Sequence, residues 1–412
     1  MHSESAVFPA LHRSCFSFPA IDNHAHPLLS AEHRDHFPFE NLISEAEGDS
    51  LLDSVHTLAC MRAVPQLGSI LKIENPSWDA IKDARAQMPY LELCKLFMRP
   101  TGIQCIFLDD GLGGVEDFAE NLAWHDQFTN SPTRRIVRVE IVAESILKSL
   151  LTSHLGSAVV DTARLLDNFN IALRDSITSS ATDSNVVGFK SIACYRTGLD
   201  VSPSVQSDED IKMCLRDVSE IYREKGTIRL AHKALNDHVV QVALEIAGVH
   251  KKPVQFHTGL GDNDITLTRS SSSHLQPIIK AFPDTSFVLL HSSYPFTREA
   301  GYLSAVYSNV FLDFGEVFPF VSGGGQRAIV RQVLELCPMN RIMWSTDGHW
   351  WPESYYLGTV QAREALYTVL AEIVTSGELK ETEAATIAEN ALFHNANKLY
   401  NLGLEPERPV FE

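Results

Sequence analysis

Phe18-Pro19-Ala20-Ile21-Asp22-Asn23-His24-Ala25-His26 is a short apolar run that ends in a His-x-His pair. Residues two apart on a strand project from the same face, so His24 and His26 can grip one ion from one side. Neutral imidazoles completed by a carboxylate are the donor set that a divalent, zinc-like metal prefers. The stretch therefore reads as the first strand of a metal-dependent enzyme.

Seven further runs share its character, short and apolar nearly throughout, as parallel strands buried on both faces should be. They are Gly102 to Leu108, Arg135 to Val142, Val186 to Ile192, Pro253 to His257, Ser286 to His291, Val310 to Phe314 and Arg341 to Ser345. Segments of helical periodicity lie between them, among them Asp208 to Glu224, His238 to Ala247, Arg298 to Tyr307 and Gln326 to Leu336. Eight strands alternating with helices predict a (β/α)8 TIM-type barrel rather than an open doubly wound sheet. A long helical insertion, about 27–99, follows strand one and is expected over the C-terminal mouth of the barrel. Two helical stretches, Val360 to Thr375 and Thr382 to Leu402, close the chain, and the tail Glu405 to Pro409 reads as loose. No repeat or linker divides residues 1–412, so one barrel domain is expected.

Composition excludes several classes. Hydrophobic residues make up 44% and charged residues 21% of 412, ordinary for a globular protein. The net charge of -18, without any Lys/Arg cluster, argues against a nucleic-acid partner. Seven scattered cysteines without a CxxC pair make a disulfide framework unlikely to be the organising device. No apolar run reaches the ~20 residues of a membrane helix, and the first residues lack a secretory pattern, which predicts a cytoplasmic protein acting on a small molecule. A homo-oligomer is compatible with all of this.

The other candidate ligands also end strands: His257 the fifth, His291 the sixth, and Asp347 just beyond the eighth. Barrel active sites are built on that C-terminal face. A carboxylate beside a metal-activated water can take its proton and pass it to a leaving amine, which suits Asp347; the bland alternative is a helix cap. His291 suits a second ion or polarisation of a substrate carbonyl. Arg196, in the loop after strand four beside Tyr195, is shaped to hold a substrate carboxylate, and His349 follows Asp347 at the same mouth. The glycine loops Gly259 to Asp264 and Gly323 to Gly325 match no phosphate-binding pattern and read as flexible mouth loops. No G-x-S-x-G elbow supports a serine triad.

Asp22-Asn23-His24-Ala25-His26-Pro27, Gly188-Phe189-Lys190-Ser191-Ile192, Cys194-Tyr195-Arg196-Thr197-Gly198, Ser345-Thr346-Asp347-Gly348-His349 and Glu389-Asn390-Ala391 together resemble the amidohydrolase superfamily. The branch that looks nearest is the amidohydrolase-related one, and within it the barrel half of fungal and plant proteins fused to a glutamine-synthetase-like domain. The resemblance implies a metal-dependent amidohydrolase holding one or two Zn2+ ions, with Mn2+ as the alternative. His24, His26, His257, His291 and Asp347 would be ligands, and Lys190, as a carbamate, would bridge two ions; a Lys190 ion-paired to Asp347 or another acid at the rim is the competing reading. It further implies hydrolysis of a C–N bond in a carboxylate-bearing amide, with a γ-glutamyl amide as the first substrate guess. A decarboxylase of the same branch and a non-catalytic regulatory barrel are the alternatives.

Overall fold

The computed structural model describes residues 7–112, 115, 117–152 and 161–408. Eight parallel strands follow one another round a single sheet: β1 (Ala20–Ala25), β2 (Ile103–Asp109), β3 (Arg134–Arg138), β4 (Val186–Ser191), β5 (Val254–Phe256), β6 (Phe287–Leu289), β7 (Val310–Asp313) and β8 (Ile342–Met343). The order β1 to β8 with helical crossovers is the expected (β/α)8 TIM-type barrel. A side-chain and a backbone hydrogen bond draw the end of β8 back towards β1. Asn23 Nδ2 donates to the Trp344 carbonyl at 2.7 Å, and Asp347 N donates to the His24 carbonyl at 3.0 Å.

The lower barrel interior is filled by Ile21, Phe107, Ile136, Val288 and Met343, and the closing helical segment plugs it with Phe393 and Tyr400. That plug alters the reading of the tail. Gln104 accepts from Glu407 N at 2.7 Å and donates to the Glu405 carbonyl at 2.9 Å, so the tail is tied down to this point, while Pro409 lies outside the described residues.

Two other expectations need correction. The run expected as strand three continues as helix from Val139, because Val139, Ala143, Leu147 and Leu151 form one buried face at a spacing of four. Packing of that stripe overrides the strand preference of the β-branched run. Gly323 to Gly325 are not a mouth loop but the first turn of helix Gly323–Leu336, with Ser322 Oγ accepting from Gly325 N at 3.3 Å. The remaining helices fall where periodicity placed them, with Asp208–Lys225, Lys233–His250 and Thr297–Val306 each slightly shifted or extended. All seven cysteines are free thiols, and no helix among the described residues is long and apolar enough to cross a membrane.

The insertion after β1 contains helices Leu58–Leu71, Trp78–Gln87 and Tyr90–Met98. Beside its apolar packing, one buried ion pair ties it to the barrel. Arg85 Nε donates to Glu353 Oε1 at 2.8 Å where both side chains are buried, and the guanidinium lies 4.2 Å from the Phe39 ring centroid. Breaking a buried pair strands its partner, whereas replacing both members by neutral side chains often costs little. Arg85→Met is therefore expected to destabilise the protein by about 3–5 kcal/mol, and Arg85→Met with Glu353→Gln by clearly less. Urea unfolding of the two variants checks this; equal losses would show that the pair is not what anchors the insertion.

Candidate metal centre and active-site mouth

The strand ends carry two adjoining groups of donors. His24, His26 and Asp347 form one, and His257, His291 and Glu316 the other; in each, one ligand atom per residue falls within 4.8 Å of the rest. His24 Nε2 lies 3.2 Å and His26 Nε2 3.5 Å from Asp347 Oδ1. The ring centroids of His24 and His291 are 5.6 Å apart, and those of His257 and His291 4.4 Å.

Hydrogen bonds behind the imidazoles fix which nitrogen faces inward. Gln255 donates through Nε2 to the Asn23 carbonyl and the Tyr400 hydroxyl, so its Oε1 must accept from His24 Nδ1, at 2.9 Å. His26 Nδ1 likewise donates to the Asp109 carbonyl at 2.9 Å, and His257 Nε2 to the Leu260 carbonyl at 2.7 Å. The lone pairs of His24 and His26 are thus left on Nε2, facing Asp347, and that of His257 on Nδ1.

Burial, reinforced by Lys190, holds the His24 pKa down to about 4, so its ring is neutral at pH 7. Burial would raise Asp347, but His291 and the contacts with His24 and His26 outweigh it and keep the carboxyl well below the usual range. Two imidazole lone pairs, of which only that of His24 is met by the Lys190 amine, therefore face a carboxylate oxygen that has no hydrogen-bond donor among the described residues. Such a cluster needs a cation at its centre. The second group points the same way, with both His291 ring nitrogens and Glu316 Oε2 buried and without a hydrogen-bond partner. These donors fit a divalent ion.

Lys190 is buried beside them, its Nζ 3.2 Å from His24 Nε2. It forms no ion pair with Asp347 among the described residues; its contact is the imidazole. Burial brings its pKa down to about 8 against the pull of Asp109 and Asp347, which makes the neutral amine accessible.

Backbone strain gathers at the same atoms. His291, Glu316 and Asp347 have φ of 67°, 56° and 52°, in the left-handed region that side-chain-bearing residues avoid. Asp347 is consequently no helix cap; the helix that follows starts at Pro352. Asp313, at the end of β7, restrains this region by accepting from His291 N at 3.3 Å, Gly315 N at 2.8 Å, Ser345 Oγ at 3.0 Å and Asn23 Nδ2 at 2.8 Å. Gly315 is required at this corner, because a Cβ would collide with Ser345 Oγ.

The mouth above is a cavity of about 450 Å³. Tyr195, Arg196 and His349 all line it, together with Lys190, His26, His257 and Asp347. The Tyr195 ring lies 4.4 Å from that of His257. Arg196 is already engaged, its Nη2 3.3 Å from Glu144 Oε1, although its Nε is buried without a partner. His349 Nδ1 is 3.0 Å from the Asp347 carbonyl. The expected mouth loop Gly259 to Asp264 contributes Asp262 and Asp264, and the insertion contributes Asn41, Ser44, Glu45 and Glu47.

Sequence reasoning missed Glu316, Gln255 and Arg138. Glu316 follows strand seven as Asp313-Phe314-Gly315-Glu316, and an acid just past a strand end was the available signal. Gln255, inside β5, carried none.

Residues 230–402 match the family model described as amidohydrolase. Protein fluG of Emericella nidulans is 41% identical over 420 residues, covering 97% of this chain and 48% of that protein, so the chain spans about half the length of this curated relative. Among solved structures, a protein of Lactobacillus casei ATCC 334, provisionally described as a metal-dependent hydrolase, superposes with a TM-score of 0.78 at 23% identity, over 95% of this chain and 97% of that one. The uronate isomerase of Bacillus halodurans C-125 gives a TM-score of 0.64 at 13% identity, over 97% of both chains. At these identities the structural likeness speaks for the fold alone. Taken with the eight-stranded barrel and its strand-end donors, the fluG match and the family model over residues 230–402 support the amidohydrolase-related branch of the amidohydrolase superfamily.

Proposed function

We propose that the chain is a metal-dependent hydrolase cleaving a C–N bond of a small, carboxylate-bearing amide in the cytoplasm, with residues 1–412 acting as one domain. His24, His26, Lys190, His257, His291 and Asp347 would hold one or two divalent ions, zinc first and manganese as the alternative, and Glu316 joins them as a donor. The observation that carries this reading is the convergence of His24 Nε2 and His26 Nε2, with the Lys190 amine beside His24, on Asp347 Oδ1, a buried carboxylate oxygen without a hydrogen-bond donor among the described residues. A divalent ion there supplies Lewis acidity, making water acidic near neutral pH and polarising a carbonyl.

The chain's own residues do the rest. Asp347, anionic at neutral pH, accepts the proton of the attacking water and returns it to the departing nitrogen, so that an amide and water become a carboxylic acid and an amine. His291, whose ring nitrogens make no hydrogen bond among the described residues, stands ready to polarise the carbonyl oxygen. Lys190, with its amine readily neutral, can take up CO₂ as a carbamate and so become an anionic donor shared by the two groups. Arg196, Tyr195 and His349 border the space for the rest of the substrate. A γ-glutamyl amide is the first candidate, by analogy with the resemblance to barrels fused to a glutamine-synthetase-like domain.

Metal analysis of purified protein should find at least one transition metal per chain. His24→Ala with His26→Ala should remove both the metal and amine release from a panel of γ-glutamyl amides and N-acyl amino acids. Full activity after exhaustive chelation would refute the metal reading, and CO₂ release from aromatic acids without amine release would replace hydrolysis by decarboxylation. Lys190→Ala should lose one ion if two are present. Gln255 acts behind His24, so Gln255→Leu should weaken metal affinity roughly 10–100-fold in chelator competition. An unchanged affinity would mean that the His24 tautomer is not set by Gln255.

A further inference from the structure

Arg138 ends β3 directly beside Lys190 of β4, the two being paired in register. Its side chain is only 8% exposed, yet it lines the mouth. Nε and Nη2 both donate to Asp109 Oδ2, at 2.9 and 2.6 Å, while Asp109 Oδ1 accepts from Gly111 N at 3.0 Å. The guanidinium is thereby locked in orientation, and its Nη1 meets no protein acceptor among the described residues. Burial would raise the Asp109 carboxyl, but Arg138 and the nearby imidazoles outweigh it and hold the group well below its ordinary range. Arg196, one turn beyond β4 on the same side of the mouth, also keeps a buried, unpartnered Nε.

A buried guanidinium held by an acid behind it, with donors left over and a cavity in front, is organised to receive an anion. We propose that Arg138, together with Arg196, clamps a carboxylate of the substrate, and that Arg138 is the residue that sets specificity for an anionic substrate. Arg138 and Lys190 spring from paired positions of neighbouring strands and line one cavity, so the clamp opens onto the same chamber as the metal donors. The substrate class is accordingly an amide whose carboxylate is only a few bonds from the scissile carbonyl. This rests on the hydrolase reading above for its substrate, but not for its binding chemistry.

The test is calorimetric titration of the purified, metal-containing protein with L-glutamate and with isoglutamine, in which the α-carboxylate is a neutral carboxamide. The wild type should prefer glutamate by about 10–100-fold, the range for a charge-assisted hydrogen-bonded contact. Arg138→Gln combined with Asp109→Asn, which leaves no stranded buried charge, should erase the preference while metal content stays the same. A preference that survives in this variant overturns the proposal, as does a wild type that shows none or binds neither compound. Should the double variant fail to fold, Arg138→Lys decides the matter: it keeps the charge and loses the planar fork, so an undiminished preference overturns the clamp. A preference abolished as expected, in a protein that releases no amine from any amide tested, supports the clamp and defeats only the hydrolysis reading.

Discussion

Buried polar groups at the barrel mouth need partners, and two carboxyl groups, Asp22 and Asp313, meet much of that demand. Asp313 gathers donors from β1, from the residues after β6 and β7, and from the residue after β8, while Asp22 accepts from the Thr346 amide at 2.8 Å and from its hydroxyl. Burial pushes their pKa values up to about 6 and about 8 respectively. Together they draw the end of β8 onto β1. His24 and Asp347, which are far apart in sequence, are thereby brought to 3.2 Å. The left-handed φ at His291, Glu316 and Asp347 costs on the order of 1–3 kcal/mol each, and it persists because this network fixes the His291 amide and the residues just before Glu316 and Asp347.

Satisfaction stops at the centre. The outer nitrogens of the His24, His26 and His257 imidazoles are all spent on Gln255 or on backbone carbonyls. What faces inward is a set of lone pairs around Asp347 and Glu316. Folded interiors rarely leave such atoms orphaned, so their concentration at one point of the mouth marks the place where the fold has left room for a cation.

Much of this was legible in the chain. The apolar runs ending in His24-Ala25-His26, His257, His291 and Asp347 announced both the barrel and the face on which the donors lie, because period and strand-end position are local properties of sequence. What was not legible depends on pairing between distant segments. Gln255 looks like an ordinary polar residue in β5 until its amide is seen fixed by Asn23 and Tyr400. Arg138 read as part of a strand, and only its register with Lys190 puts it at the mouth. Glu316 turns into the site through a left-handed corner that Gly315 makes room for, and the glycines at 323–325 belong instead to a helix start.

The insertion completes the mouth by contributing Glu45 and Glu47, and the buried Arg85–Glu353 pair helps to hold it there. Its acids face the same cavity as Arg138 and Arg196, so substrate selection and metal chemistry share one chamber. The central claim is that His24 Nε2, His26 Nε2 and Asp347 Oδ1 surround a divalent ion. Anomalous diffraction across the metal absorption edge, from crystals of the protein as purified, tests it most directly. The account predicts a peak about 2.0–2.2 Å from each of the three donors. A map without such a peak, in which a Lys190 ammonium alone neutralises Asp347, would contradict it.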